Sequence, residues 1–234
     1  CDPKPRIISA AAFRDRVVQH ALCAVIEPVL ERGALFHSYA CRRGKGTLAA
    51  VQQVMAWAEP GMYFLKLDIR KHFETTDHAA LKRLLQRVVK DWELLWLCSV
   101  FIDAGAPGSL PAKGLPIGNL TSQHFANLYL QPLDHLVKEN LRIQRYARYM
   151  DDLVLLHPDK EVLSLAKDQM GQFLSEHLCL QLKERATVLA PIQEGLPFLG
   201  FRIFSGLLRF DQRRKQRFSR QLRDVQRNLN SGAL

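Results

Sequence analysis

The segment RYARYMDDLVLLH, which runs from Arg145 to His157, constrains the fold of this chain more than any other stretch. Two adjacent aspartates, Asp151 and Asp152, lie between an aromatic-rich run and a purely aliphatic run. The two runs are typical of short strands, so the segment predicts a β-hairpin with the aspartates at its tip. Aspartates are also common in turns that join strands, and a plain surface turn is therefore the alternative explanation.

A third aspartate, Asp68, ends the run MYFLKLD, which predicts a strand from Met62 to Asp68. An aspartate in that position could simply cap the following turn. If this strand and the hairpin are neighbours in one sheet, the three carboxylates converge. Converging carboxylates repel one another unless a cation neutralises them, and Mg²⁺ prefers one or two carboxylates together with substrate phosphates. Two such ions, about 4 Å apart, can support phosphoryl transfer.

The composition of the 234-residue chain indicates a globular protein, because 47% of its residues are hydrophobic and 24% are charged. We find no apolar run of about 18 residues and no secretory leader, so no membrane association is expected. The cysteines are far apart, which predicts neither a disulfide nor a zinc site and favours a reducing cytoplasm. They are Cys1, Cys23, Cys41, Cys98 and Cys179.

The formal net charge of +10 indicates a polyanionic partner, although many basic proteins bind none specifically. The segment from Arg209 to Arg227 holds eight basic and two acidic residues. Its spacing predicts a helix with one apolar face that packs and one arginine face that meets phosphates, with a solvated charged helix as the alternative. The apolar residues are Phe218, Leu222, Val225 and Leu229, and the phosphate candidates are Arg213, Arg217 and Arg220.

Helices and strands alternate irregularly along the chain, which predicts an α+β fold. Apolar residues at helical spacing predict two early helices. Their apolar positions are Val18, Leu22, Val25 and Val29 in the first helix, and Leu48, Val51 and Met55 in the second. The strings LQLKERATVL and LPFLGFRIF each predict a strand, and Ser205-Gly206 predicts a two-residue turn into LLRF. Asp77 is expected to cap the helix that follows it.

Four strings occur in the order FLKLDIRKHF, GLPIGNLTSQHFANLYL, YMDD and FLGFRI, and together they resemble the reverse transcriptase family. The likeness covers nearly the whole chain. It implies a right-hand polymerase, with an antiparallel sheet packed on helices, and RNA-directed DNA synthesis. The implied domains are fingers over residues 1–60, with an N-terminal part missing, palm over 61–204, and the start of a helical thumb over 205–234.

The resemblance also implies roles for the aspartates and their neighbours. Asp68 and Asp151 would hold two Mg²⁺ ions, with Mn²⁺ as a possible substitute, while Asp152 assists and the carbonyl of Ile69 joins the site. Phe73, five residues after Asp68, falls where the family places the ring that excludes a ribose 2′-hydroxyl. An ordinary core phenylalanine is the alternative.

Further positions match the parts of the family that hold substrates. Lys4 and Arg6 match residues that hold the incoming triphosphate, and Arg43 and Lys45 are candidates for phosphate or template contact. Solvated charges and a surface turn are the alternatives. The remaining candidates are Ile117, Gly118 and Gln123 around the nucleotide, and Phe198, Leu199 and Gly200 in the primer-gripping hairpin.

The string PIGNLTSQ resembles the reverse transcriptases of diversity-generating retroelements, because Ile117 replaces a usual glutamine and Gln123 a usual proline. Those enzymes copy a template RNA with errors mainly opposite adenine. The implied partners are template RNA, a DNA or RNA primer, dNTPs and a small basic helical accessory protein. Alternatives are a retron-like or phage-defence reverse transcriptase, or an inactive RNA-binding scaffold.

One position departs from the family. Ala186 lies where a lysine that protonates the leaving pyrophosphate is usual, so no general acid is assigned. Lys183 and Arg185 are the nearby substitutes.

Overall fold

The computed structural model describes residues 8, 9 and 11–230, and its strands form two antiparallel sheets. The helices are α1 (Phe13–Arg32), α2 (Thr47–Trp57), α3 (His72–Thr75), α4 (His78–Val88), α5 (Trp92–Asp103), α6 (Leu120–His135), α7 (Lys160–Leu178) and α8 (Gln212–Asn230). A π-helical turn (Leu136–Asn140) extends α6. The strands are β1 (Tyr63–Asp68), β2 (Arg145–Tyr149), β3 (Asp152–His157), β4 (Val188–Pro191), β5 (Leu196–Phe198), β6 (Phe201–Phe204) and β7 (Leu207–Phe210). None of the described helices is long and apolar enough to cross a bilayer.

The larger sheet has the order β2-β3-β1-β4, with each neighbouring pair antiparallel. It separates two cores, because successive side chains of a strand point to opposite faces. Leu65 and Leu67 of β1 enter the core formed with α1, α4, α5, α6 and α7. Phe64 faces the second core, which α2 and the small sheet β5-β6-β7 cover. Lys66 and Asp68 share the face of Phe64, so the end of this face carries polar residues.

The structure contains the predicted hairpin, with β2 and β3 paired on either side of Met150 and Asp151. The predicted turn at Ser205 and Gly206 joins β6 to β7. Asp77 caps α4, since its carboxylate accepts a hydrogen bond from the amide of Ala80 at 2.9 Å. These features depend on short-range patterns and turn chemistry, which explains why the sequence predicts them.

The predicted faces of the two early helices are wrong in part. Val18 and Val25 of α1 are exposed, whereas its buried residues are Gln19, Leu22, Cys23, Ile26 and Leu30. Gln19 is buried because its side-chain oxygen accepts a hydrogen bond from the amide of Leu120, at the start of α6. In α2, Leu48 is exposed and Met55 half-buried, while Ala50, Val51 and Val54 are buried.

Two strand predictions and one packing prediction also need correction. LQLKERATVL holds a short 3₁₀ turn (Glu184–Ala186) and only the beginning of β4. LPFLGFRIF is a hairpin of β5 and β6, as the resemblance implied, and not one strand, because Leu199 and Gly200 adopt positive φ angles of 49° and 80° and reverse the chain. The apolar face of α8 is exposed among the described residues, with Phe218 at 65%.

A fully buried histidine, His72, lies against the rings of Phe73 and Tyr129 at the start of α3. Neither of its ring nitrogens has a hydrogen-bond partner among the described residues. Burial, together with the nearby Arg148, lowers the pKa of His72 from 6.5 to about 3. The folded chain therefore keeps this ring neutral, whereas the unfolded chain protonates it below about pH 6.5.

We predict that acid destabilises the protein through His72. As the pH falls from 6.5 toward 3, the unfolded state binds a proton that the folded state excludes, so the free energy of unfolding decreases. At pH 5 this loss is about 2 kcal/mol relative to pH 7.5. Urea unfolding gives the free energy of unfolding at pH 7.5 and at pH 5. In His72→Phe, these two free energies should differ by about 2 kcal/mol less than they do in the parent.

His20→Gln, which changes an exposed ring, is the matched control and should keep the parent's pH dependence. An unchanged pH dependence in His72→Phe would contradict the assignment.

Candidate functional site

The three predicted aspartates lie together at one end of the larger sheet. Asp68 and Asp152 are directly opposite each other in the β1–β3 register. Side chains of such partners lie on the same face. The amide of Ile69 donates a hydrogen bond to the carbonyl of Asp151 at 3.2 Å, which fixes the tip of the hairpin beside the end of β1. The strands that carry these residues are thus neighbours in one sheet, which is the condition on which the expected convergence depended.

Two lysines lie against the carboxylates. The Lys66 ammonium is 3.3 Å from Oδ1 of Asp152, and the Lys183 ammonium is 3.1 Å from Oδ2 of Asp68. The amide of Lys183 also donates to the carbonyl of Asp68 at 2.8 Å. The positive charges reduce the repulsion between the carboxylates.

Lys66 was not predicted from the sequence, although its position two residues before Asp68 places both on one face of β1. Of the two nearby substitutes for a lysine at Ala186, Lys183 is the one whose side chain contacts this cluster.

The carboxylates of Asp68 and Asp152 suit a hard cation that takes its remaining ligands from water or from a substrate. Among the described residues, no group of three or more histidine, cysteine, aspartate or glutamate side chains could hold a metal ion by itself. Asp68 and Asp152 are half-buried, so part of each carboxylate is open to solvent. Mg²⁺ commonly takes one or two carboxylates and draws its other ligands from water and substrate phosphates.

Phe73 is tied to the segment that precedes α6. Its carbonyl accepts a hydrogen bond from the amide of Leu115 at 2.6 Å. Its ring is half-buried and meets the His72 ring edge-on, with centroids 5.6 Å apart. The residue thus belongs to the edge of the core, so the structure is compatible both with a packing role and with a role facing a ligand.

Ile117 and Gly118 contact the described N-terminal residues. The carbonyl of Ile117 accepts a hydrogen bond from the amide of Ser9 at 2.8 Å. Gly118 has a φ of +112°, and a Cβ atom there would lie 2.9 Å from the Ser9 carbonyl oxygen. Glycine is needed here because a side chain would collide with the backbone that passes beside it. Lys4 and Arg6, a few residues before Ser9, lie outside the described residues.

Gln123 and Arg43 line the same cavity, which has a volume of about 480 Å³. Arg43 is an exposed side chain, 3.3 Å from a carboxylate oxygen of Glu27. Lys45 lies elsewhere on this segment, with its ammonium 3.4 Å from the centroid of the exposed Phe36 ring. The two basic candidates therefore have different surroundings, and Arg43 is the one that shares a cavity with Gln123.

The predicted primer-gripping residues form the turn between β5 and β6. Phe198 is buried in the second core, while Leu199 and Gly200 make the turn. The carbonyl of Gly200 accepts a hydrogen bond from the amide of Asp211 at 3.1 Å, which ties this turn to the start of α8. On α8, Arg217 and Arg220 are exposed, and the Arg213 side chain lies outside the described residues.

The chain is similar to several known proteins. Residues 2–203 match the family described as "Reverse transcriptase (RNA-dependent DNA polymerase)". The chain is 25% identical over 253 residues to Protein YkfC of Escherichia coli, a match that covers 90% of this chain and 66% of that protein. It is 20% identical over 266 residues to the group II intron-encoded protein LtrA of Lactococcus lactis, covering 86% of this chain and 44% of that protein.

Among solved structures, apo telomerase from Candida tropicalis, truncated from the C-terminal domain, is similar with a TM-score of 0.60 and 16% identity. The match covers 84% of this chain and 44% of the telomerase chain. This similarity confirms the predicted right-hand polymerase fold. The chain spans between 44% and 66% of the length of YkfC, LtrA and this telomerase.

We predict that Gly118→Ala disrupts the contact between residues 8–9 and the Ile117–Gly118 segment. The strained backbone and the collision with Ser9 should lower the free energy of unfolding by roughly 1–3 kcal/mol. Gly44→Ala is the matched control, because Gly44 also has a positive φ but no atom lies within 4 Å of its added Cβ. Chemical denaturation should show a smaller loss in the control, and equal losses would contradict the close approach.

Proposed function

Since the chain belongs to the reverse transcriptase (RNA-dependent DNA polymerase) family, we propose that it is an RNA-directed DNA polymerase. The primer 3′-hydroxyl would attack the α-phosphate of a dNTP, forming a phosphodiester bond and releasing pyrophosphate. The observation that carries the proposal is that Asp68 lies opposite Asp152 at the β1–β3 end of the sheet, with the backbone of Asp151 hydrogen-bonded to Ile69 beside them. An RNA-binding scaffold would need the basic surfaces of this chain but not these carboxylates.

Asp68 and Asp151, with the carbonyl of Ile69, would hold two Mg²⁺ ions, and Asp152 would assist. Mn²⁺ offers a similar preference for oxygen ligands. When bound, the ions would lower the pKa of the attacking hydroxyl and stabilise the leaving oxygen. The Lys66 ammonium, which contacts Asp152, would orient that carboxylate.

Lys183 is the residue that could protonate the leaving pyrophosphate. It lies three positions before Ala186, where the family's lysine is usual, and its ammonium contacts Asp68. Its proton would pass to the oxygen of the breaking phosphoanhydride bond. A positioned acid of this kind typically contributes a factor of roughly 10² to 10⁴ in rate.

Phe73 would select the sugar of the incoming nucleotide. Its carbonyl accepts a hydrogen bond from the amide of Leu115, which fixes its backbone, and it follows Asp68 by five residues in the sequence. A bulky ring leaves no room for a 2′-hydroxyl and favours dNTPs. This selection disfavours an RNA-dependent RNA polymerase as the alternative enzyme.

The substrates would lie along three proposed domains, with fingers over residues 1–60, palm over 61–204 and the start of a thumb over 205–234. Lys4, Arg6, Ile117, Gly118 and Gln123 would surround the nucleotide, and Arg43 and Lys45 would contact phosphates of the template. Phe198, Leu199 and Gly200 would hold the primer.

The arginines of α8, including Arg213, Arg217 and Arg220, suit the backbone of an RNA–DNA hybrid, which proteins read mainly by shape. A solved telomerase from Candida albicans, similar in fold to this chain, is in complex with a fragment of telomeric RNA.

We predict that the chain extends a DNA primer on an RNA template with dNTPs and Mg²⁺, and that Asp151→Asn reduces extension by at least roughly a thousandfold. The substitution removes one charge from the proposed metal site. Asp168→Asn removes the same charge from an exposed position on α7 and should extend primers like the parent. Extension by Asp151→Asn at the parent's rate, or no extension by the parent, would contradict the proposal.

Two branches of the reverse transcriptase family are candidates for the type of enzyme that this chain represents. Ile117 and Gln123 favour the error-prone enzyme of a diversity-generating retroelement, with a small basic helical accessory protein as partner. The relatives favour an enzyme of the group II intron type, because LtrA is a group II intron-encoded protein. The two branches differ in the base discrimination expected at Ile117, since an isoleucine would be unable to hydrogen-bond in the pocket of the templating base as a glutamine can.

We predict that Ile117→Gln lowers misincorporation opposite template adenine by roughly fivefold, the worth of about one hydrogen bond. The measurement is sequencing of the extension products, and Ile117→Met is the apolar control. An unchanged error rate at adenine, or a parent with few such errors, would favour the intron-type enzyme.

A further inference from the structure

Arg148 is a charged side chain buried directly behind the tip of the hairpin. Its side chain is 1% exposed, and that of its ion-pair partner Asp134, on α6, is 0% exposed. The guanidinium meets the carboxylate as a fork, with Nε 2.8 Å from Oδ1 and Nη2 2.7 Å from Oδ2. The hydroxyl of Tyr146 donates a further hydrogen bond to Oδ1 at 2.7 Å.

The remaining donors of Arg148 reach three other acceptors, on two residues. Nη1 donates to the side-chain oxygen of Asn127 at 3.0 Å and to the carbonyl of Met150 at 3.4 Å, and Nη2 donates to the carbonyl of Asn127 at 3.4 Å. With the two bonds to Asp134, all five N–H groups of the guanidinium have acceptors. A lysine could not replace this set, because its ammonium lacks the planar fork.

Three segments of the chain meet at this one residue. Its side chain joins α6, through Asn127 and Asp134, to the tip of the hairpin at Met150. Its backbone amide donates to the carbonyl of His37, and its carbonyl accepts from the amide of Tyr39, both at 2.9 Å. The side chain of Asn127 also donates to the carbonyl of Ala40 at 2.8 Å. The junction therefore connects the 37–40 segment, the helix that follows Gly118, and the aspartates.

The tip needs such support because its backbone is strained. Met150 has a φ of +56°, a conformation that residues other than glycine rarely adopt. Its carbonyl belongs to the peptide bond that leads into Asp151, so the 3.4 Å hydrogen bond from Arg148 favours one orientation of that peptide. Stability alone does not explain the ion pair, since apolar residues of similar volume often replace buried ion pairs without loss of stability.

We propose that Arg148 is a positioning residue, which aims the Asp151 carboxylate by fixing the Met150–Asp151 peptide against α6. The inference rests on the proposed function for its catalytic consequence. It assigns Asp134, Asn127 and Tyr146 to the same role, as the groups that hold the guanidinium. A misplacement of about 1 Å at a reacting group can reduce the rate by a factor of roughly 10².

The test replaces the buried ion pair with apolar side chains in the triple variant Asp134→Leu, Tyr146→Phe and Arg148→Met. This variant should unfold at a temperature close to the parent's. Its kcat for primer extension should fall at least roughly tenfold, and the Mg²⁺ concentration that gives half-maximal extension should rise several-fold. The backbone amides of residues 149–152 should exchange hydrogen faster than in the parent, because the tip has lost its anchor.

The matched control is the double variant Glu59→Leu and Arg145→Met, which removes a partly exposed ion pair between Arg145, on the same strand as Arg148, and Glu59, in the loop before β1. It should retain the parent's kcat, Mg²⁺ requirement and exchange rates. Arg148→Lys serves as the second variant if the triple variant fails to fold, because it keeps the charge beside Asp134 but loses the fork. It should show the same defects as the triple variant.

Parental kcat and parental exchange at residues 149–152 in a folded variant without the fork would overturn the proposal. The exchange measurement does not depend on activity. An inactive parent would therefore count against the proposed function, while faster exchange at the tip of the variants would still support the positioning of Asp151 by Arg148.

Discussion

The register between β1 and β3 is the constraint on which the candidate site depends. It places Asp68 opposite Asp152, and the apolar face of both strands enforces it, because Leu65, Leu67 and Leu155 are buried among the helices. A slip of one residue would turn every side chain of a strand to the other face. Asp68 would then point into the larger core, where an unpaired carboxylate is costly. Burial of the leucines on one face of the sheet thus fixes the position of Asp68 opposite Asp152 on the other face.

Charge compensation explains how the carboxylates can lie so close together. On the accessible side, Lys66 and Lys183 form ion pairs with Asp152 and Asp68. On the buried side, Arg148 balances Asp134 behind the hairpin. The accessible pairs are partly exposed and therefore weak, so a metal ion or a phosphate could compete with them. The buried pair of Arg148 and Asp134 is shielded from solvent and holds one geometry. It therefore suits a structural role behind the hairpin rather than the binding of a ligand.

Short-range patterns predicted the hairpin around Asp151, the turn at Ser205 and Gly206, and the Asp77 cap of α4. The sequence could not predict which face of α1 is buried, because Gln19 is buried through a hydrogen bond to Leu120, about a hundred residues away. Arg145 and Arg148 look alike in RYARY, yet Arg148 is buried because α6 supplies Asp134. Lys183 reaches Asp68 only because the chain after α7 returns along β1. Each of these features depends on packing between distant segments.

The most direct test of the proposed site is to locate the metal ions. Crystals of the chain with an RNA template, a chain-terminated DNA primer, an incoming dNTP and Mn²⁺ would give anomalous scattering from the ions. We expect Mn²⁺ within ligand distance of the carboxylates of Asp68 and Asp151, with the triphosphate beside Lys183. Mn²⁺ and triphosphate bound elsewhere, with Lys183 still paired to Asp68, would contradict the two-metal site.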